Sequence, residues 1–397
     1  MAIPHGELTD GHWLSVRRLR VMASLALACF LVAGFYLVTF SNFVNPKGYR
    51  ILTDHIVFWE ASKMALQGHP VDAYNPEIMM SAVAHDDAVR KNFGWFYPPG
   101  FFLLILPLGL LTFHQAFAAF MGVTLAFYVA VMRRIVSGQD ALLFLASFSG
   151  LWCNLRAGQN GFLTAALAGA ALLLLEKRPI LAGVFIGLLS IKPHLLLLFP
   201  LALIAGRSWA ALLSAAITAA ALMVAGTAVL GIDTLTAWLG SIQKARTMYL
   251  ESGWLPLAMA SPFSAFRILG WSIKSSYMGQ LVFSVYAALS VWKVWRSSAS
   301  ANAKYATLAA ATFLATPYVF FYDLTWLALI IAWVSKSALE GRWFFGDREI
   351  LVFAWAMPLM SYMSIWFHGL VLVQLIIPLL LFVALRHAGL SVLLSRR

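Results

Sequence analysis

The chain alternates long apolar runs with short polar turns from residue 21 almost to its end. Runs at 21–40, 114–132, 141–156, 162–176, 180–192, 194–206, 210–230, 278–295, 304–321, 323–335, 349–366 and 369–385 each read as a membrane helix. A straight span needs roughly 20 residues, and several of these are shorter. Short helices interrupted by Gly or Pro are usual where a site is cut into a membrane bundle. Residues 98–112 are apolar too, but Pro98, Pro99 and Pro107 bracket them, and a full crossing there would invert everything downstream. The pattern predicts a re-entrant or incomplete helix at 98–112; one long tilted helix over 99–132 is the alternative. The expected fold is an all-α polytopic membrane protein of about 12 transmembrane helices. It forms a single integral membrane domain over 1–397, with a cytoplasmic 1–20 and large outer loops at 41–97 and 231–277.

Composition narrows this further. The chain is 61% hydrophobic and 11% charged, whereas a soluble protein carries about 25% charged residues. The net charge of +12 does not point to nucleic acid, because the cations fall in short clusters between apolar runs. That is the positive-inside signature of a bacterial inner, or plasma, membrane protein. With the N-terminus inside, the inner turns collect Arg133, Arg134, Lys177, Arg178, Arg207, Lys293, Arg296, Lys336, Arg342 and Arg348, among others. The short outer turns receive only Arg156 and Lys192. Arg17, Arg18 and Arg20 precede the first run as in a signal sequence; no small-residue cleavage site follows, so an uncleaved span is expected. Cys29 and Cys153 sit in apolar runs and point to neither a disulfide framework nor a metal site.

The loop at 41–97 carries elements of its own. A helix over 54–66 would put Trp59 and Lys63 on one stripe and Val57, Ala61 and Ala65 on another. Asn75-Pro76-Glu77 supplies an N-cap, a proline at the first helical position and an acid in the first turn, predicting a second helix over 77–91. Helices of this kind lie in the membrane interface. In the loop at 231–277, Trp238, Trp254 and Trp271 suit interfacial anchoring, or stacking on a sugar ring.

Polar groups inside so apolar a chain mark candidate chemistry. On the outer side the topology collects Asp54, Glu60, the Tyr97-Pro98-Pro99-Gly100 turn, Gln159, Asn160, Lys192, His194, Asp323 and His368. An acid there can act as general base toward a hydroxyl, and a lysine can hold a phosphate at the membrane surface. Each residue also has a plain structural alternative. Asp54 can be an N-cap, and Lys192 can snorkel to the headgroups. Asp323 can cap a helix over 324–335. Gln159 and Asn160 can satisfy a tight helix turn. His194 and His368 lack ligand spacing.

Several motifs together resemble glycosyltransferase family 87. They are Asp54 with Phe58-Trp59, residues 65–68 and Tyr74; Phe96-Tyr97-Pro98-Pro99; Gly158-Gln159-Asn160; Ala182-Gly183, Gly187 and Ile191-Lys192-Pro193-His194 with Arg207 and Trp209; and Thr316-Pro317-Tyr318 with Tyr322-Asp323. The likeness runs in order from about residue 50 to residue 335. It implies a GT-C-type bundle whose first extracytoplasmic loop holds interface helices and the catalytic acid. It also implies an inverting enzyme, resembling mannosyl- and arabinofuranosyltransferases, without cofactor or bound metal. Such an enzyme moves a sugar from a polyprenyl-phosphate donor to a cell-envelope glycan or glycolipid acceptor. By this resemblance Asp54 is the general base, and Lys192 with His194 holds the donor phosphate. Gln159, Asn160 and Asp323 orient the sugar or acceptor; Glu60, Tyr97, Tyr322 and His368, collected on the same side, are the further substrate-binding candidates. The family often has a histidine where Tyr322-Asp323 stands. A transporter or flippase of lipid-linked sugar is the second reading, although no internal repeat is visible. A non-catalytic envelope scaffold is the third.

Overall fold

The computed structural model describes residues 12–39, 53–83, 94–248, 259–364 and 372–390, which are mostly helical. Among them no strand forms; an isolated bridge joins Met259 to Phe320. The helices run α1 (Val16–Thr39), α2 (Thr53–Leu66), α3 (Pro76–Val83), α4 (Pro99–Ile105), α5 (Phe113–Ile135), α6 (Ala141–Ala146), α7 (Ser149–Ala157), α8 (Gly161–Leu174) and α9 (Pro179–Leu188). They continue with α10 (Pro193–Leu196), α11 (Phe199–Ala205), α12 (Trp209–Leu230), α13 (Ile232–Arg246), α14 (Pro262–Ile268), α15 (Ile273–Arg296), α16 (Ala301–Ala315), α17 (Leu327–Glu340), α18 (Asp347–Ser364) and α19 (Leu372–His387).

Every apolar run is largely helical, but they are not equivalent. Only Val16–Tyr36, Phe113–Ile135 and Trp209–Leu230 are, among the described residues, long and apolar enough to cross a membrane unaided. The expected count of about 12 crossings is therefore not reached on length and composition. The run at 141–156 breaks into α6 and α7, and the run at 194–206 breaks into α10 and α11. The run at 304–321 stops at Ala315, because Thr316 takes the extended backbone (φ −116°, ψ 142°) favoured before a proline.

The side chains identify the medium. Val32, Val224 and Val282, on α1, α12 and α15, are 69%, 66% and 68% exposed. Rows of such residues on long helices are unfavourable in water and ordinary against lipid tails. The chain is a helical membrane protein. The centre holds α8 and, beyond its first turn, α16, both almost wholly buried, as core helices are.

Close approach of backbones sets the packing. Gly183 and Gly187 lie four apart on α9 and face Ala211, Ser214, Ala215 and Thr218 of α12; a Cβ on Gly183 would stand 2.4 Å from the Ala211 carbonyl oxygen. Small residues four apart let helices touch where apolar burial gives no drive. Gly183→Ala is expected to lower stability in detergent by about 1–3 kcal/mol, as overpacking does. Gly122→Ala on α5, where nothing lies within 4 Å, is the control that should not lower the melting temperature, since alanine without a clash favours a helix over glycine.

Residues 98–112 double back. α4 leads into a 3-10 turn over Leu106–Leu110, and α5 starts afresh with a capping box between Thr112 and Gln115. Tyr97 packs on Phe58 of α2 (ring centroids 5.5 Å). The Ser62 hydroxyl donates to the Ile105 carbonyl at 3.0 Å, farther along α2. The chain then turns, so that the Trp59 indole donates to the Leu111 carbonyl at 2.9 Å and Phe117 reaches His55 (5.4 Å). Both ends of the segment thus lie against the first half of α2.

The loop helix over 54–66 is present as α2, with Lys63 Nζ 4.2 Å from the centre of the Trp59 ring. The second helix covers Pro76–Val83; the rest of the expected 77–91 lies outside the described residues.

Polar contacts gather at two opposite ends of the same helices. At one end Arg20 pairs with Asp140 (2.8 Å), the Asn302 amide donates to Glu340 (2.9 Å), and Asp347 holds Arg386 and His387. α7 and α17 carry the chain between that end and the end where residues 158–160 and 323 sit.

Candidate active site

Four short segments build this second end. Asp54 stands in the first turn of α2. Residues 158–160 form the turn between α7 and α8, with Gly158 in the left-handed region (φ +68°). Lys192 precedes Pro193 at the start of α10, and Asp323 opens a 3-10 turn ahead of α17.

The turn at 158–161 joins the other pieces. The Gln159 amide donates to Asp54 Oδ2 at 3.3 Å, and Gln159 Oε1 accepts from the Tyr97 hydroxyl at 3.1 Å. Tyr97 is fixed in turn, since the Tyr74 hydroxyl donates to its carbonyl at 2.8 Å. On the other flank, a Cβ on Gly161 would lie 2.4 Å from the Tyr322 carbonyl oxygen. Asp323 follows, and Lys192 Nζ donates to its Oδ1 at 2.7 Å with both side chains buried. The Lys192 ammonium also lies 4.8 Å from the centre of the Tyr322 ring. Contiguous contacts thus run from Asp54 to Lys192 at a single end of the bundle. Asp54, Tyr97 and Tyr322 are partly exposed there, whereas Lys192 and Asp323 are closed off.

Some structural alternatives are resolved by these contacts. The Asp323 carboxylate does not cap the following helix; its Oδ2 accepts from the Phe320 backbone N–H upstream at 3.2 Å. Lys192 is 5% exposed and paired, so it does not snorkel. Gln159 extends to Asp54 rather than serving its own turn alone. Asn160 is fully buried, and neither of its side-chain polar atoms is hydrogen-bonded. Such a group is costly to bury unless something meets it. His194 packs against Tyr318 (6.0 Å) near the ion pair. Glu60 is not brought into the cluster: it points elsewhere on α2 and accepts from Lys63 at 3.2 Å. His368 lies outside the described residues.

Two residues that the sequence did not single out flank the cluster. His55 is wholly buried among Phe58, Phe113, Phe117 and Phe120. Burial pushes its pKa down to about 4, so the ring is neutral at physiological pH. Asn154 Oδ1 accepts from the Gly161 N–H at 3.1 Å and steadies the turn from below. Both sit in apolar stretches, where nothing local marks them. Among the described residues no group of three His, Cys, Asp or Glu side chains is arranged to hold a metal. An open groove of about 620 Å³ along α1, lined by Ala28, Cys29, Val32, Ala33 and Tyr36, carries none of the polar cluster; its lining is what a lipid-facing helix presents.

The chain is a helical membrane bundle with a carboxylate, amides and an ammonium gathered at one end. The chain belongs to glycosyltransferase family 87, which it matches over residues 95–317, more than half its length. It is accordingly an enzyme that transfers sugars. Tyr97, Gln159, Asn160, Lys192 and His194 lie inside the match; Asp54 and Glu60 precede it, and Tyr322, Asp323 and His368 follow it. No curated protein and no solved structure matches the chain.

Proposed function

We propose that the protein moves a sugar from a polyprenyl-phosphate donor to a hydroxyl of a cell-envelope glycan or glycolipid, on the extracytoplasmic side of a bacterial inner membrane. Mannose-like hexoses and arabinofuranose are the candidate sugars. The observation that carries this reading is the unbroken set of contacts from Asp54 through Gln159 to Asp323 and Lys192. Asp54 takes the proton of the acceptor hydroxyl as its oxygen bonds to the anomeric carbon. The bond from that carbon to the phosphate oxygen breaks, and the polyprenyl phosphate leaves with the electron pair. Attack opposite the leaving group inverts the anomeric centre. Gln159 and Tyr97 orient the carboxylate, and Asn160 and Tyr322 line the sugar. Lys192, with His194 behind it, steadies the phosphate end while Asp323 holds the ammonium in place.

The lipid tail of the donor needs an apolar wall open to the bilayer. The doubled-back segment 98–112 supports that role, because it lies beside α2 and against α12, where a Cβ on Gly226 would stand 2.5 Å from the Pro99 carbonyl carbon. The direct test is transfer from a panel of polyprenyl-phosphate sugars by the purified protein in lipid, read by mass spectrometry. Movement of the intact lipid-linked sugar between leaflets without cleavage would replace this reading with a flippase.

Gly158 is the hinge on which Asp54 and Gln159 meet. Its φ of +68° suits glycine, and a Cβ there would lie 2.6 Å from His55 Cβ. Gly158→Ala is expected to displace the turn and lower transfer about 100-fold, the cost of a misplacement near 1 Å. Wild-type turnover in this variant would show that the Gln159–Asp54 contact is dispensable.

A further inference from the structure

The buried ion pair leaves a charge unassigned. Lys192 Nζ lies 2.7 Å from Asp323 Oδ1, so the ammonium is already offset by a carboxylate. A departing polyprenyl phosphate is an anion, and a neutral pair attracts it weakly. The polyprenyl-phosphate reading, on which this inference rests, therefore calls for a second cation at the same end of the bundle.

Arg156 stands in the last turn of α7, three residues ahead of Gln159. Its guanidinium lies over the ring of Tyr362, 4.3 Å from the centre. Among the described residues, neither a hydrogen bond from its side chain nor an ion pair accompanies that contact. Tyr362 packs on Phe321 (5.3 Å), Phe321 packs on Tyr322 (5.2 Å), and Tyr322 carries Lys192. Arg156 and Lys192 thus occupy the two ends of one aromatic row. Stacking on a ring face leaves the N–H edge of a guanidinium open, and that edge matches two phosphate oxygens at once.

We infer that Arg156 binds the donor phosphate, supplying the net positive charge that the Lys192–Asp323 pair does not. It is a binding residue that touches the donor at its leaving group. An arginine serving only to pack on Tyr362, or to complement the C-terminal end of α7, would treat charged and uncharged lipids alike.

The experiment follows from that difference. The full chain in lipid nanodiscs is titrated with a polyprenyl phosphate and, separately, with the uncharged polyprenol of the same length. The wild-type protein should prefer the phosphate. Arg156→Gln should weaken phosphate binding about 10- to 100-fold, the worth of charge-assisted hydrogen bonds, while polyprenol binding and the melting temperature hold. Arg156→Lys should recover part of the loss, as a point charge without the bidentate fork. Unchanged phosphate binding in Arg156→Gln, or an equal loss for both lipids, would overturn the inference and leave the wider reading standing. A wild-type protein that fails to distinguish the two lipids would sink the donor class itself.

Discussion

Asp54→Asn is expected to abolish sugar transfer while leaving the protein folded. Asparagine keeps the size of the side chain and an oxygen able to accept from Gln159, which now donates to Asp54 at 3.3 Å. It cannot take a proton from an acceptor hydroxyl. Loss of a general base lowers turnover by about 10²- to 10⁴-fold. Polyprenyl-phosphate binding should persist, since Asp54 acts on the acceptor. The measurement pairs a transfer assay in membranes with donor binding and thermal unfolding in detergent. A variant that turns over at the wild-type rate removes Asp54 from the chemistry and with it the proposed direction of proton flow.

The second large effect concerns Lys192 and Asp323, whose side chains are 6% and 1% exposed. Lys192→Met strands a buried carboxylate, and Asp323→Asn strands a buried ammonium. Each single change is expected to destabilise the protein by about 3–5 kcal/mol. Lys192→Met combined with Asp323→Asn removes both charges and keeps an oxygen for the Phe320 N–H, which Asp323 accepts at 3.2 Å. The double variant should recover most of the lost stability, because a buried pair replaced as a unit is often nearly neutral. Transfer should stay low in it, since the ammonium at the donor end is gone. Full activity in a stable double variant would reduce the pair to scaffolding. Failure of the double change to restore stability would mean that the two charges do not act as a pair.

Local pattern carried much of this protein's description. Apolar runs with charged turns specify membrane helices through the cost of exposing backbone polar groups to lipid, and every such run is largely helical. Asn75-Pro76 marks the start of α3, and the prolines at 98, 99 and 107 mark a segment that does not continue as one helix. The polar residues placed on one face were identifiable because so few interrupt the apolar background. The break at Ser147-Phe148, by contrast, carries no comparable signal in the chain.

Which polar groups meet was decided in three dimensions. Lys192 and Asp323 are 131 residues apart, and Asp54 and Gln159 are 105 apart. Periodicity does not encode such pairings, because they depend on how α9 seats against α12 through Gly183 and Gly187, and on how the turn at Gly158 rests on His55. Glu60 resembles Asp54 in type and lies on the same helix, yet rotation of the helix turns it to Lys63 instead. Sequence alone established a helical membrane protein with scarce polar groups, since solvent preference and turn chemistry act residue by residue. The cluster itself came from tertiary packing, since side chains on separate helices meet only where backbones approach closely enough to hold them.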